Sequence, residues 1–551
     1  MKSNDLIDII GEAADEHISD AKNSQKKSMP RWAKWSSAVA ACLVLAVSLG
    51  FLLPRMGGNS SPGTNGGESG HDNGSVFMSY AGPVFPLSLV EENAAIEAQR
   101  NITMDFAPWV PTWISNEEEF ATRTNLSEED REEFLKTYND RYPEGGRYVS
   151  SHDIQVTDSY LLTNDITQAQ TVQILYPFVS SLNDLKKDQP TLTLNGTTLK
   201  AKLHAGNYAG VFQGAWENWA ETQENPGSLN LLQLDSWEGY QALLADGSYL
   251  QRALDGFVDL SHIPVVIYEF TDAWGPAADR STGIPNPSIR VMFEMDYDNT
   301  TVLSYGFHSG SYDIKNGIMG RGFSIREEDE LGYGTPYYLI IIGDDIDNMD
   351  CQGFATGGWD TEKTVESGVT ITRTESDLET ALETAARYNY QEMVDIGNYY
   401  NWEYGFDLYF GLMKEHLMAY GALAENGAER YDSGSIEELD VVGVDRVFWL
   451  EAEITIPAGE SVTIDAVFQK DPSYDFHCAA TENKGVSGYD LVTELGSNLH
   501  FTQQTARLED RGQIEIVRQN FGFDLANGIN EVVLTLNEQH YYLEVKKLPT
   551  E

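Results

Sequence analysis

Cations are scarce in this chain. Its 551 residues hold 36 Lys and Arg against 86 Asp and Glu, a formal net charge of −50 at pH 7. The imbalance is not spread evenly. The first 35 residues carry six cations and six anions, whereas the part after Arg55 carries 29 cations against 80 anions. A surface of that sign repels phosphate backbones and anionic headgroups, which excludes nucleic-acid binding. Solubility of an exported protein is the simplest use of the charge, and attraction of cations or basic peptides is the alternative. Cysteine is nearly absent too. Cys42, Cys351 and Cys478 are the only three, so no disulfide framework builds the fold. Cys351 and Cys478 form either one bridge or two thiols, and sequence distance does not decide between them.

The familiar catalytic signatures are missing as well. Glu415-His416 has no second histidine four residues away, so there is no H-E-x-x-H. Gly317, Gly320 and Gly322 in "GIMGRGFS" do not complete G-x-G-x-x-G, and no G-K-[ST] occurs. Ser309 in "GFHSG" has the wrong spacing for a nucleophile elbow. The ten histidines do not fall at metal-ligand spacing. Among so many acids nothing selects a pair for glycoside hydrolysis. No catalytic or cofactor-binding residue is assigned on these grounds. Trp216, Trp219, Trp237 and Trp274 fit either sugar stacking or core packing, and core packing is the commoner use of such residues.

One stretch has the makings of a metal site. "LIIIGDDIDNMDC" is a hydrophobic strand running into Asp344, Asp345, Asp347 and Asp350. Carboxylates gathered at a strand end can collect a hard cation such as calcium. The pattern is not an EF-hand, because Met349 takes a ligand position and the glycine is missing. The alternative is a solvated acidic strand end with turn chemistry.

What the chain does have is one long apolar run near its start, "RWAKWSSAVAACLVLAVSLGFLLPR" from Arg31 to Arg55. Ser36 to Leu53 contains no charge, and a helix of that length rises about 27 Å, close to a bilayer core of about 30 Å. Thirty-five residues precede it, and no small-x-small cleavage site follows, which favours a retained anchor over a cleaved signal. Val39-Ala40-Ala41-Cys42 looks like a lipobox, but the apolar residues follow Cys42 rather than lead to it. Lys22, Lys26, Lys27, Arg31 and Lys34 precede the span, and Arg55 is the only cation between it and Arg100. The positive flank stays in the cytosol, so residues 56–551 lie outside. Trp32 and Trp35 suit the inner interface.

The spacing of Leu6, Ile10, Ala13, Ala14, His17 and Ala21 predicts an amphipathic helix over residues 4–21. It is too short to be stable alone, so it either binds a cytoplasmic partner or remains partly disordered. Residues 57–75, with seven glycines, read as a flexible linker. Beyond it the 41% hydrophobic and 11% aromatic content supports real cores, and the length suggests two or three domains.

Strand signals dominate from Val76: "DIQVTDSYLLT", "AQTVQILYPF", "IPVVIYEF", "SIRVMFEMDYD" and "TPYYLIIIG". Asn195-Gly196 in "TLTLNGTTLKAKL" predicts a type I′ hairpin. Helices are expected over about 127–138, capped by Ser127, and about 236–252. Residues 376–426 carry helical periodicity, with a core stripe of Phe406, Tyr409, Leu412, Met413, His416, Leu417 and Tyr420. From about 440 turn-punctuated strands resume. The predicted class is a β-rich α+β fold. Its order is a cytoplasmic segment (1–35), a transmembrane helix (36–54), a linker (55–75), an extracellular α+β domain (76–374), a helical segment (375–430) and a C-terminal β-sandwich-like domain (440–551).

"LIDIIGEAADEHISDA", "RWAKWSSAVAACLVLAV" and the tail from "ITIPAGESVTIDAVFQKDPSYDF" to "QNFGFDLANGINEVVLTLNEQHYYLEV" resemble poorly characterised clostridial single-pass membrane proteins. Some of these are similar to anti-sigma factors, in which a short cytosolic helix holds a sigma factor and an outer domain senses. The resemblance implies that residues 4–21 bind a cytoplasmic partner and that the exterior binds an unidentified ligand. A zinc-dependent cytosolic part is not implied, since residues 1–35 have no cysteine. A membrane-tethered extracellular enzyme acting on glycans is the alternative.

Overall fold

The computed structural model describes residues 75–76, 83–121, 128–208, 256–271, 287–325, 336–355, 363–396, 404–419, 441–443, 446–475 and 483–548, with isolated positions between them. It is β-rich, 52% strand and 15% helix, as a β-rich α+β class requires. Among the described residues no helix is long and apolar enough to cross a membrane. Residues 4–21 and 36–53, Ser127, the helix expected over 236–252, Trp216, Trp219, Trp237, Trp274 and Cys478 all lie outside the described residues.

The first part of the chain forms β1 (Ser88–Leu89), β2 (Ile96–Asp105), β3 (Thr112–Ser115), α1 (Asn116–Ala121), α2 (Glu128–Arg141), β4 (Gly146–Val149), β5 (Ile154–Asn164), β6 (Gln170–Ser180), α3 (Leu185–Asp188), β7 (Thr191–Leu194), β8 (Thr197–Thr198) and β9 (Lys202–Tyr208). The middle part forms β10 (Pro264–Thr271), β11 (Ser288–Glu294), β12 (Thr300–Tyr305), β13 (Ser309–Asp313), β14 (Ile318–Ser324), β15 (Tyr337–Gly343), β16 (Asp347–Phe354), β17 (Thr364–Val365), β18 (Thr370–Asp377), α4 (Leu378–Ile396) and α5 (Phe406–Ala419). The last part forms β19 (Arg446–Ile456), β20 (Ser461–Lys470), β21 (Tyr474–Asp475), β22 (Val486–Val492), β23 (His500–Glu509), β24 (Ile514–Gln519), β25 (Glu531–Val533) and β26 (His540–Lys547).

These parts make two compact units. One contains Phe257–Met393 and Tyr409–Leu439; the other contains the chain up to Gly256 from Leu52, Val394–Leu408 and Asp440–Glu551. The second unit is therefore discontinuous and the first is inserted into it. The sequence set 440–551 apart as its own domain, but the strands partner differently. The seven-stranded sheet runs β25-β23-β2-β5-β20-β7-β8, and a four-stranded sheet runs β9-β19-β6-β1. Both mix strands from before Tyr208 with strands after Arg446. β20 lies along β5 over ten residue pairs, Ser461↔Thr163 to Lys470↔Ile154. β19 lies along β6 in the same antiparallel way, and β23 runs parallel to β2. The remaining four-stranded sheet, β21-β22-β26-β24, comes wholly from the last part.

Alternation of burial fixes the register of the discontinuous unit. Ile96, Ala98, Arg100, Ile102 and Met104 of β2 point inward, as do Val156, Asp158, Tyr160 and Leu162 of β5. Two of those inward positions are charged. Arg100 is 2% exposed and Asp158 0%. The guanidinium grips Asp158 through Nε and Nη2, each at 2.8 Å, and donates to the carbonyls of Val492, at 2.6 Å, and Phe85, at 3.2 Å. Tyr160 and Tyr176 donate their hydroxyls to Asp158 Oδ2 at 2.7 and 3.1 Å. The Leu87 N–H in turn donates to the Tyr160 hydroxyl at 2.9 Å. A buried ion pair is tolerable only when its remaining donors and acceptors are met, and here they are.

Residues 83–89 form a buried strap across this core. Val84 N–H donates to Asp490 O and its carbonyl accepts from Val492 N–H. Asn498 acts as a substitute strand partner, taking the Leu89 N–H on Oδ1 and giving Nδ2–H to Leu89 O, both at 2.9 Å.

In the inserted unit two antiparallel sheets, β12-β15-β10-β18 and β13-β14-β11-β16-β17, face each other. Phe270, Val302, Leu339 and Ile341 meet Ile289, Val291, Phe293 and Phe323 in the core between them. Phe323 and Tyr337 stack across the gap with centroids 3.7 Å apart. The other side of β15 is also buried at Ile340 and Ile342, and α4 lies there, its Tyr388 ring meeting Tyr305 and Tyr338. Leu378, Ala381, Leu382, Ala385 and Ala386 are its buried stripe, at the i, i+3, i+4, i+7, i+8 spacing of a helix face. Asp377 caps α4 through the Thr380 N–H at 2.9 Å. On α5 the predicted stripe is buried at Tyr409, Leu412, Met413 and Leu417. Gly411 is required there, because a Cβ would fall 2.2 Å from the Phe257 ring.

Candidate functional site

The four aspartates proposed for calcium lie at the β15–β16 connection of the inserted unit. Gly343 ends β15 at φ 97°, a conformation that leaves room for the Asn299 carbonyl where a Cβ would sit. Asp344 and Asp345 form the turn, and Asp347 and Asp350 belong to β16. Asp345 is already engaged. Its Oδ2 accepts from Arg373 Nε and Nη2 at 3.0 and 2.9 Å, and its Oδ1 accepts from the Tyr268 hydroxyl and the Ile346 N–H, both at 2.9 Å. Asp350 sits opposite Met292 on β11, while its neighbours Met349 and Cys351 pack against the core. Pairing with β11 continues the chain as a strand where a cation loop would need to curl. Among the described residues no three His, Cys, Asp or Glu side chains are grouped as a metal ion would need.

Burial pushes the Cys351 thiol up to about 11, with the Asp350 charge adding to it and a Ser367 hydrogen bond opposing it. At about pH 8 roughly one thiol in a thousand is then ionised, against about a quarter for an ordinary cysteine. Peptide-resolved iodoacetamide labelling of the native chain should therefore modify Cys351 at least about tenfold more slowly than labelling in denaturant. Equal rates would show that the thiol is not shielded.

A different constellation, in the discontinuous unit, brings titratable groups together. The Ile154↔Lys470 pair at the end of the β5–β20 ladder places Asp153 beside Asp471. After β6 the chain turns at Ser181, whose hydroxyl donates to Asp184 at 3.0 Å, and enters α3, held down by buried Leu185. This turn delivers Lys187 and Asp188. Lys187 Nζ lies 2.7 Å from Asp471 Oδ1, 3.1 Å from Asp153 Oδ2 and 3.9 Å from Asp188 Oδ1. Ser180 donates to Asp188 Oδ2 at 2.9 Å. Asp188 Oδ1, on the Lys187 side, is buried and has no hydrogen-bond partner.

One ammonium thus faces three carboxyls, and their protons are redistributed. Burial, then the charge of Asp471, pushes Asp188 up to about 7. Burial, then a hydrogen bond to Asp471, raises Asp153. Burial opposes ionisation of Asp471, but the hydrogen bonds from Asp153 and Lys187 outweigh it and hold that carboxyl below its usual value. Burial also works against the Lys187 ammonium, and the Asp471 bond and the surrounding carboxylates more than reverse it. The cluster is near neutral while Asp153 and Asp188 keep their protons and carries two excess negative charges once they lose them.

Nothing in the sequence marked these residues. They come from three places, 153, 187–188 and 471, and only "NDLKKD" is local. Perturbed groups of this kind cluster at functional sites more often than elsewhere. No protein-family model matches this chain, and no curated protein matches it.

Proposed function

We propose that the chain is a single-pass membrane protein whose β-rich exterior binds or senses a ligand outside the cell, with residues 4–21 available to a cytoplasmic partner in the manner of an anti-sigma factor. The observation that carries this reading is the charge-free run from Ser36 to Leu53, with five cations just before it and Arg55 alone just after it. Lysines and arginines beside a span resist translocation and are drawn to the anionic inner leaflet, and long acidic domains cross regardless of their charge. The glycine-rich stretch 57–75 then separates the span from the β-rich part of the chain.

Protease added to intact protoplasts should digest residues 56–551 and spare an N-terminal fragment of about 55 residues. Replacing Lys22, Lys26, Lys27, Arg31 and Lys34 with Gln should give mixed orientation. A mature chain starting between Gly50 and Ser75 would replace the anchor with a cleaved signal, and one starting at lipid-modified Cys42 would make it a lipoprotein. Recovery of no cytosolic protein on residues 1–35 would remove the signalling half alone.

A further inference from the structure

The Asp153–Lys187–Asp188–Asp471 cluster joins segments that are far apart in sequence at one point of the discontinuous unit. Asp188 ends α3; on its own element it faces Lys187 and Asp184. From the end of β6 it meets the Ser180 hydroxyl. From the end of β20 it meets the charge of Asp471, while Lys470 turns its amine to the Asp471 carbonyl at 2.9 Å. Asp153 reaches the same centre through Lys187 and Asp471. The Asp188 side chain is 10% exposed, and Oδ1, unpartnered, is turned to the side where Lys187 stands 3.9 Å off, too far for a hydrogen bond. A neutral carboxyl fits this place. Once ionised, its Oδ1 lacks both water and a close donor, and it stands near a second carboxylate, Asp471, that already holds the Lys187 ammonium.

We propose that the cluster is a proton-operated latch: with Asp188 protonated it holds α3 against the end of β20, and ionisation of Asp188 frees α3 and the β7–β8 hairpin that follows it. The hairpin is the edge of the seven-stranded sheet, so its release alters the sheet's rim without opening the core. The sign follows from linkage. Asp188 binds its proton more tightly in the folded chain, so its contribution is fully present below the ordinary carboxyl range and is lost as pH rises to and through neutrality. Mild acid tightens the latch and mild alkali loosens it.

The test uses the full chain in detergent, with Asp188→Asn as a neutral replacement of nearly the same shape. Between about pH 5.5 and about pH 8 the wild-type melting temperature should fall by about 5 °C more than that of the variant. The infrared band of protonated carboxyls should weaken over the same range in the wild type, and the loss should be smaller in Asp188→Asn, where Asp153 is the cluster's remaining protonated carboxyl. Asp471→Asn is the second variant. Removing its charge, and freeing Lys187 to pair with Asp188, should move the infrared titration to lower pH. Parallel melting profiles for wild type and Asp188→Asn, or an infrared transition undiminished in that variant, would overturn the latch. So would an unmoved midpoint in Asp471→Asn, which decides the matter if Asp188→Asn fails to fold.

Discussion

Replacing Asp158 with alanine should destabilise the discontinuous unit by about 3–5 kcal/mol and lower its melting temperature by roughly 10 °C. The change strips Arg100 of its bidentate partner at the centre of the core and leaves the Tyr160 and Tyr176 hydroxyls without their acceptor. Water cannot make up the loss, since Arg100, Tyr160 and Tyr176 are at most 2% exposed. Total stabilities of folded domains are only about 5–15 kcal/mol, so this one side chain decides a large share. The cost belongs to the stranded charge rather than to the pair. The double variant Arg100→Met, Asp158→Leu should therefore lose less than the sum of its two single changes. Calorimetry of the five chains (wild type, Asp158→Ala, Arg100→Met, Asp158→Leu and the double variant) measures both statements, and an Asp158→Ala melt within about 2 °C of wild type would show the network to be inessential.

A stop after Leu439 should leave the discontinuous unit unfolded while the inserted unit keeps its core. Such a chain loses β19 and β20, and with them the neighbours of β6 and β5 along their whole lengths. It also loses β23, the partner of β2, and the Val492 and Thr493 carbonyls that receive Arg100. Val447, Phe448, Leu450, Ile464 and Phe468 are among the buried side chains removed, and each is worth about 1.5–3 kcal/mol of burial. That sum exceeds what a domain has to spare. The core between the inserted unit's two sheets is drawn from residues between Val266 and Val369, all of which the truncated chain keeps. Limited proteolysis of the truncated chain should accordingly cut freely within 83–208 and leave a resistant fragment from about 257 to 439. Protection of 83–208 would mean that the first strands find a stable arrangement without the last ones.

Local structure was largely legible and partnership was not. Asn195 and Gly196 adopt φ of 49° and 77°, both in the left-handed region that a type I′ turn demands, and β7 and β8 flank them as the dipeptide predicts. The helical stripes of 376–426 became α4 and α5, because apolar residues at i, i+3, i+4 and i+7 can be buried together only on a helix. The alternation in "DIQVTDSYLLT" and "SVTIDAVFQ" announced β5 and β20, yet neither string says that they are each other's neighbours. An inward face looks the same whether its partner lies ten residues away or three hundred. The same gap hid the aspartate–lysine cluster, and it hid the partner of Asp345 in the acidic run after β15. Asp345 is bound to Arg373, which lies in another strand.

Parallel pairing of β2 with β23 sets a clock on biosynthesis. About 400 residues separate the two strands, so at 5–20 residues per second the ribosome needs roughly 20–80 s to supply the second after the first. Throughout that interval β2, β5 and β6 present unpaired edges, the kind that join other chains. Slow translation or a shortage of chaperones should therefore lower the yield of this protein more than that of a protein with adjacent strand partners. The inserted unit is complete before β19 emerges and is spared that wait.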